Sequence, residues 1–293
     1  MTAHVATVDE LFTRERRDER TVLVDATGRD YDAHWLCTSA WKAGNFLRHA
    51  GVREGVTVGV AGNGPVALLA CFGATLLGAT TRPNPPADLA DETNLQAIVA
   101  PVDELESDRY ELPRGTSMLG YGEKPETPGI KHFDAGLWSE NPSFPPQSLS
   151  PETGLLTDGS HTVSHARALE SARNLIDEYE IEAGDRVVVR ESLSDVEVTV
   201  AGVFAPLLVG AVTVLEGAAD TDTDGDEGED GDRGEDGNRG EDGNRGEDGN
   251  EGDVREQIEM DEHATLYTIS DATAGESATQ IDPTELSLSD RTS

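Results

Sequence analysis

The sequence predicts a layered α/β fold: helices on both faces of mostly parallel sheets (αβα), arranged as two similar subdomains. Three observations predict it. Helical periodicity alternates with short β-branched runs, the helix–strand–helix–strand order occurs twice, and the strands are apolar on both faces. Strands of that kind belong in sheets covered by helical crossovers, where neighbours run parallel.

The first copy opens with a helix over 34–49, in which Leu36, Ala40, Ala43, Leu47 and Ala50 recur every three or four residues. Gly51 stops it, and Val56 to Ala61 (Val-Thr-Val-Gly-Val-Ala) follows as a strand. Gly62-Asn63-Gly64-Pro65 turns the chain, with Pro65 at the first helical position, where its missing N–H costs nothing. Val66 to Leu77 is apolar nearly all round, the pattern of a helix buried on every side. Gly78 ends it, and Ala79 to Arg82 leaves as another strand.

The second copy keeps the order. A helix over 166–179 shows Leu169, Ala172, Leu175, Ile176 and Tyr179 on one face. Gly184-Asp185, the strand Arg186 to Arg190, an apolar helix from Val196 to Val209, Gly210 and the strand Ala211 to Leu215 complete it. Leu76-Leu77-Gly78-Ala79-Thr80-Thr81 aligns with Leu208-Val209-Gly210-Ala211-Val212-Thr213.

These units set the expected organisation: an N-terminal segment at 1–20, a first subdomain at 21–100, and a second at 151–218 continued by 254–272. The stretch 101–150 is rich in Pro, Gly and Ser with little periodicity, and is expected to be an irregular connection. At 219–253 lies low complexity: Gly228-Glu229-Asp230-Gly231-Asp232-Arg233 recurs from Gly234, Gly240 and Gly246. Repeats without an apolar side chain bury nothing, which predicts a disordered insertion. A calcium-binding solenoid would need an apolar residue in each unit. Val254 to Met260 is expected as a short helix, Ala264 to Ser270 as a buried strand, and 273–293 as a polar tail.

The 293 residues carry a formal charge of -36, and only Lys42, Lys124 and Lys131 are lysines. Between Asp220 and Asp253 stand 16 acidic residues against 3 arginines, so most of the net charge lies outside the repeats. Acidity spread that widely opposes a compact fold unless salt screens it. Carboxylate-rich, lysine-poor surfaces suit the cytoplasm of a salt-accumulating halophile, which is the expected setting. Nucleic acid is excluded as a partner, because nothing supplies phosphate-neutralising positive charge. Cys37 and Cys71 fall in apolar helices and fit free thiols in a reducing compartment, and their spacing is not that of a zinc site. The N-terminus lacks a charged-then-apolar signal pattern. The apolar run from Val198 to Leu215 contains Gly202, Pro206 and Gly210, and the repeat explains it as a helix and a strand rather than a membrane span.

On these residues the chain resembles the adenylate-forming (AMP-binding) acyl-CoA synthetase family. Tyr31-Asp32-Ala33, and Gly51-Val52-Arg53-Glu54-Gly55-Val56-Thr57-Val58-Gly59-Val60 after the helix, are similar to the family's opening. Asn63 and Gly78-Ala79 match its Asn-bearing turn and its helix-ending Gly-Ala. Gly184 to Ala211 resembles the next subdomain, and Val254 to Ser270 its following helix and strand. The resemblance implies a ligase that uses ATP and CoA on a carboxylic acid. It also implies a phosphate loop of the form Thr-Ser-Gly-Thr-Thr-Gly-x-Pro-Lys-Gly before a Val-x-x-Ser-His helix start.

The departures fall on that loop. Thr157-Asp158-Gly159 matches its opening and Val163-Ser164-His165 resembles its end, but Ser160-His161-Thr162 stands where the Thr-Thr-Gly-x-Pro-Lys core belongs. Backbone N–H groups and a lysine ammonium are what favour phosphate, and Asp158 brings a carboxylate instead. The family's Tyr-Gly-x-Thr-Glu and Thr-Gly-Asp motifs, and the catalytic lysine of its mobile domain, do not follow. The expectation is therefore a shell without carboxylate-activating chemistry and without an identified cofactor, incomplete relative to the family. It would act as an accessory or binding module for an acyl, CoA-like or protein partner. Half of a split synthetase and a decaying remnant are the alternatives. Any residual nucleotide or phosphate contact is expected at Thr157, Gly159 and Ser160, at the entrance to the helix.

Other patterns weigh less. His161 and His165 have metal-ligand spacing on a helix, but without a third ligand nearby the expectation is a solvent-exposed helix start and no metal site. Gly59, Gly62 and Gly64 have the wrong spacing for a dinucleotide fingerprint. Trp35, Trp41 and Phe46 are expected to be packing residues. No Gly-x-Ser-x-Gly elbow occurs.

Overall fold

The computed structural model describes residues 5–145, 147–216, 265–269, 279–283, 286 and 288. The acidic repeats, the short helix expected over Val254–Met260 and most of the 273–293 tail lie outside the described residues. Two short 3-10 turns, Val8–Phe12 and Arg14–Arg16, lead into β1 (Thr21–Val24), β2 (Asp30–Asp32) and the helix α1 (Ala33–His49). Next come β3 (Thr57–Val60), α2 (Pro65–Leu76), β4 (Thr80–Pro83) and β5 (Leu95–Pro101). Pro65 opens α2 as expected.

The stretch expected to be an irregular connection instead carries α3 (Val102–Glu106), β6 (Ser117–Tyr121), β7 (Ile130–His132) and α4 (Phe133–Ser139). These elements are three to seven residues long, too short to show a period. Glycine is needed within β6 itself, because a side chain at Gly120 would strike Val102 and Ile130. The chain continues through β8 (Gly154–Thr157), β9 (Thr162–Ser164), α5 (His165–Tyr179), β10 (Arg186–Val189), α6 (Val196–Thr199), α7 (Ala205–Val209) and β11 (Val212–Leu215). It ends with β12 (Leu266–Ile269) and β13 (Thr279–Ile281).

Two sheets result, ordered β7-β6-β5-β3-β4-β8-β9 and β13-β12-β10-β11-β1-β2. Their pairings are parallel except in the hairpins β1–β2 and β8–β9. The duplication is physical. β3 and β4 flank α2 as β10 and β11 flank α6 and α7, each pair parallel and in continuous register. Gly55 and Gly184 precede the first strand of each copy at φ +80° and +93°, and Gly78 and Gly210 close its helix at +68° and +91°. A Cβ is strained in that left-handed region, so glycine recurs at matching places.

Sheet membership crosses the boundaries drawn from sequence. The β1–β2 hairpin precedes α1, yet β1 pairs with β11 of the second copy. The β8–β9 hairpin precedes α5, yet β8 pairs with β4 of the first. Each half thus lends a hairpin to the other's sheet. One apolar core accordingly includes Phe12, Leu69 and Phe72 together with Val187, Val203 and Phe204.

Within that core α1 crosses α2 at small residues. A Cβ on Gly73 would lie 2.7 Å from the Gly44 nitrogen and 2.8 Å from the carbonyl carbon of Ala43. The helix expected as continuous over Val196–Val209 is interrupted by a π-helical turn, Val200–Phe204. Pro206 is the cause, since it has no N–H for the carbonyl four residues back and its ring crowds that carbonyl. The freed Gly202 oxygen accepts the Thr213 hydroxyl at 2.8 Å. No described helix is long and apolar enough to cross a membrane.

Candidate functional site

The carboxyl ends of β3, β4, β8 and β10 meet where ligands bind in open α/β sheets. Asn63, in the turn after β3, accepts the Leu193 N–H at 3.0 Å and lies 3.4 Å from the Ser192 hydroxyl. Asn84, just past β4, donates to Ser192 Oγ at 3.4 Å, and its Oδ1 accepts the Gly62 N–H at 2.7 Å. Its backbone is left-handed, φ 37°, a conformation asparagine tolerates better than most residues. This polar bridge ties the two sheets together. Only Asn63 was marked in the sequence; the Pro-Asn-Pro-Pro run around Asn84 was the available signal for the second member.

Thr157, Gly159 and Ser160 lie together, but at the end of β8 and in the turn to β9 rather than at a helix entrance. β9 separates the turn from α5, whose first N–H groups are capped by Ser164, with the Arg167 N–H donating to its hydroxyl at 3.3 Å. The turn closes on itself. The carboxylate of Asp158 accepts the N–H groups of Ser160 at 2.6 Å and His161 at 2.7 Å. The Gly159 N–H donates to Thr157 Oγ1 at 3.1 Å, and that hydroxyl donates to the His161 carbonyl at 2.6 Å. Gly159, at φ +95°, has the Arg82 guanidinium packed where a side chain would go, and Arg82 pairs with Glu92. Partial burial pushes the Asp158 carboxyl up, but hydrogen bonds from His161 and Ser160 outweigh it and hold the group below the usual carboxylate range.

The β1–β2 turn is built the same way. Asp25 Oδ1 accepts the N–H groups of Thr27 at 2.9 Å and Arg29 at 3.1 Å, with Gly28 left-handed at φ +81°. Registers match as well: Thr21, Leu23 and Val24 face Asp32, Tyr31 and Asp30, as Gly154, Leu156 and Thr157 face Ser164, Val163 and Thr162. Arg82 brings a positive charge to one side of the Asp158 turn, and carboxylates stand on another. Glu197, at the start of α6, is pushed up to about 7 by burial, a shared hydrogen bond with Asp195, and the charges of Asp195 and Asp158.

His161 and His165 do not share a helix face. His161 is exposed in the turn, 3.5 Å from Asp158 Oδ2. His165, fully buried at the first position of α5, accepts the Val8 N–H on Nδ1 at 3.0 Å. Burial lowers its pKa to about 4, so it is a neutral clamp on the N-terminal segment. Among the described residues no group of three or more His, Cys, Asp or Glu is placed to hold a metal ion. Cys37 and Cys71 are free and buried. Trp41 is buried with its Nε1–H on the Phe12 carbonyl at 2.8 Å, and Trp35 and Phe46 pack on the core, as expected.

No family model matches the sequence, and no curated protein does. Solved structures do. The anthranilate CoA ligase AuaEII in complex with anthranoyl-AMP superposes with a TM-score of 0.61 at 18% identity, over 71% of this chain and 44% of that one. ATP-bound MatB from Rhodopseudomonas palustris gives 0.58 at 13% identity, over 72% and 45%. The nonribosomal peptide synthetase FmoA3 gives 0.58 at 21%, over 71% and 22%. The described chain therefore has the fold of the adenylate-forming ligases, and it spans less than half the length of these three.

Proposed function

We propose that this chain is a degenerate AMP-dependent ligase-like protein that does not activate carboxylates and serves as an accessory or binding module. The Asp158 turn is the observation that supports the reading. A phosphate loop needs outward N–H groups and positive charge. Here the N–H groups of Gly159, Ser160 and His161 are already engaged, two of them by a carboxylate. A phosphate entering the turn would displace Asp158 and meet its charge, a repulsion of about 1 kcal/mol in water and about 4 kcal/mol near a protein surface for unit charges about 4 Å apart. In this reading Thr157, Gly159 and Ser160 shape the turn rather than grip a nucleotide. A binding role for an acyl, CoA-like or protein partner is part of the same proposal, and the likeness of the fold to acyl-CoA ligases supports it.

Incubation with ATP, magnesium, CoA and a panel of carboxylic acids in molar KCl tests the proposal. No pyrophosphate above background is expected. Turnover that co-purifies with the chain and disappears with it would overturn the reading.

A further inference from the structure

The N-terminal segment is tied to α5 by two side chains from the far half of the chain. His165 Nδ1 accepts the Val8 N–H at 3.0 Å, and the Arg173 guanidinium donates to the Val5 carbonyl. Val5, Thr7 and Val8 are buried. Beside them a hollow of about 740 Å³ opens along the joint, with Val5, Arg173, Ile176 and Leu208 in its lining.

The His165 tie holds in one protonation state only. A neutral imidazole has one donor and one acceptor nitrogen, whereas both nitrogens of the charged ring donate. Accepting on Nδ1 places the ring proton on Nε2, which is buried without a partner. A second proton has only Nδ1 to occupy, where it meets the Val8 N–H donor to donor. Burial alone lowers the His165 pKa, to about 4. The strands β8 and β9, the π-helical turn and α7, all packed against α5, carry no charged side chain. Glu152, just before β8, is exposed. On α5, Arg167 pairs with Glu170 and Arg173 holds Val5. On the segment itself, Glu10 accepts the Ala6 N–H at 2.9 Å. The Asp9 carboxyl is pushed up by burial, so its protonation favours the closed segment as pH falls and opposes His165.

We propose that residues 5–8 form an acid-released strap: protonation of His165 on Nδ1 breaks the bond to Val8, the charged ring is hydrated, and the strap lifts from α5, baring Ile176 and Leu208 at the hollow. The Asp158 turn plays no part in it. Linkage sets the size of the effect. The closed ring takes its second proton near 4 and the open ring near 6.5. The opening equilibrium should therefore grow roughly fiftyfold between about pH 7.5 and about pH 4.5.

Amide hydrogen exchange on the full chain in molar KCl tests it, read as protection factors so that the intrinsic pH dependence of exchange cancels. The Val8 amide should lose protection roughly fiftyfold over that pH range. Val187 and Val189, in a strand paired on both sides, should keep theirs. His165→Asn leaves an oxygen acceptor for the Val8 N–H and cannot titrate, so the acid loss at Val8 should vanish in that variant. The comparison of Val8 with Val187 and Val189 in the parent protein stands by itself if the variant does not fold. Constant Val8 protection in the parent, a parallel loss at Val187 and Val189, or an unchanged pH dependence in His165→Asn would overturn the proposal.

Discussion

Asp158 does two jobs that conflict with nucleotide binding: it satisfies two backbone donors and it adds a negative charge. Removing it tests the first. Asp158→Ala should lower stability by about 1 to 2 kcal/mol, the scale for loss of charge-assisted hydrogen bonds in an exposed turn, read from urea unfolding in high salt. Asp25→Ala should cost at least as much, because Asp25 also accepts the Tyr31 hydroxyl at 2.7 Å. Equal stability of both variants and the parent would show that the carboxylates do not hold these turns. His165 sets a pH dependence. Its folded pKa is near 4 against an unfolded value of 6.5. The neutral form is the one that folds, so its contribution is complete above pH 6.5 and falls as pH drops from 6.5 towards 4. The loss is about 3 kcal/mol over that window. An NMR titration should find the ring neutral at pH 5.5; protonation near 6.5 would contradict the burial argument.

At the scale of elements, the small-residue crossing and the π-helical turn make distinct demands. Gly73→Ala drives a Cβ into the α1 backbone, where no flexible side chain can yield. A loss of about 1 to 3 kcal/mol is expected for overpacking of this kind. Thr213→Val keeps the shape but leaves the Gly202 carbonyl without its hydroxyl partner, again about 1 to 3 kcal/mol. Thermal unfolding of the two variants checks both values. Long elements were legible in the sequence because α1, α2 and α5 run 12 to 17 residues: one-sided burial gives α1 and α5 a helical period, and burial on every side gives α2 an unbroken apolar run. β6, β7, β9 and α4 were not, since they are three to seven residues long and lack the repeated glycine-bounded pattern that marked β3, β4, β10 and β11. The Thr157–Ser160 cluster was legible as a place but not as a hairpin turn. Its backbone donors are closed off by a side chain whose direction sequence spacing cannot reveal. The matching Asp25 turn was equally hidden, because spacing does not show that its carboxylate folds back onto the Thr27 and Arg29 N–H groups.

Across the whole molecule, the exchanged hairpins make the two sheets one folding unit. Neither half of the duplication completes its sheet without a strand pair from the other. Charge acts at the same scale. With a formal charge of -36, self-repulsion should weaken as salt rises. The melting temperature is expected to climb steadily between about 0.1 and 2 M KCl, where the Debye length shrinks from about 10 Å to below 3 Å. A flat profile would separate the acidity from stability and return it to solubility alone.

In the proposed reading, a chain with a ligase-like fold has the backbone donors of its Thr157–Ser160 turn already engaged, two of them by the Asp158 carboxylate. Calorimetric titration of magnesium ATP into the full chain in molar KCl tests it most directly. No saturable heat is expected from the parent protein. Saturable one-to-one binding that weakens when Ser160 or Gly159 is substituted would contradict it, and would return Thr157, Gly159 and Ser160 to the role of nucleotide contacts.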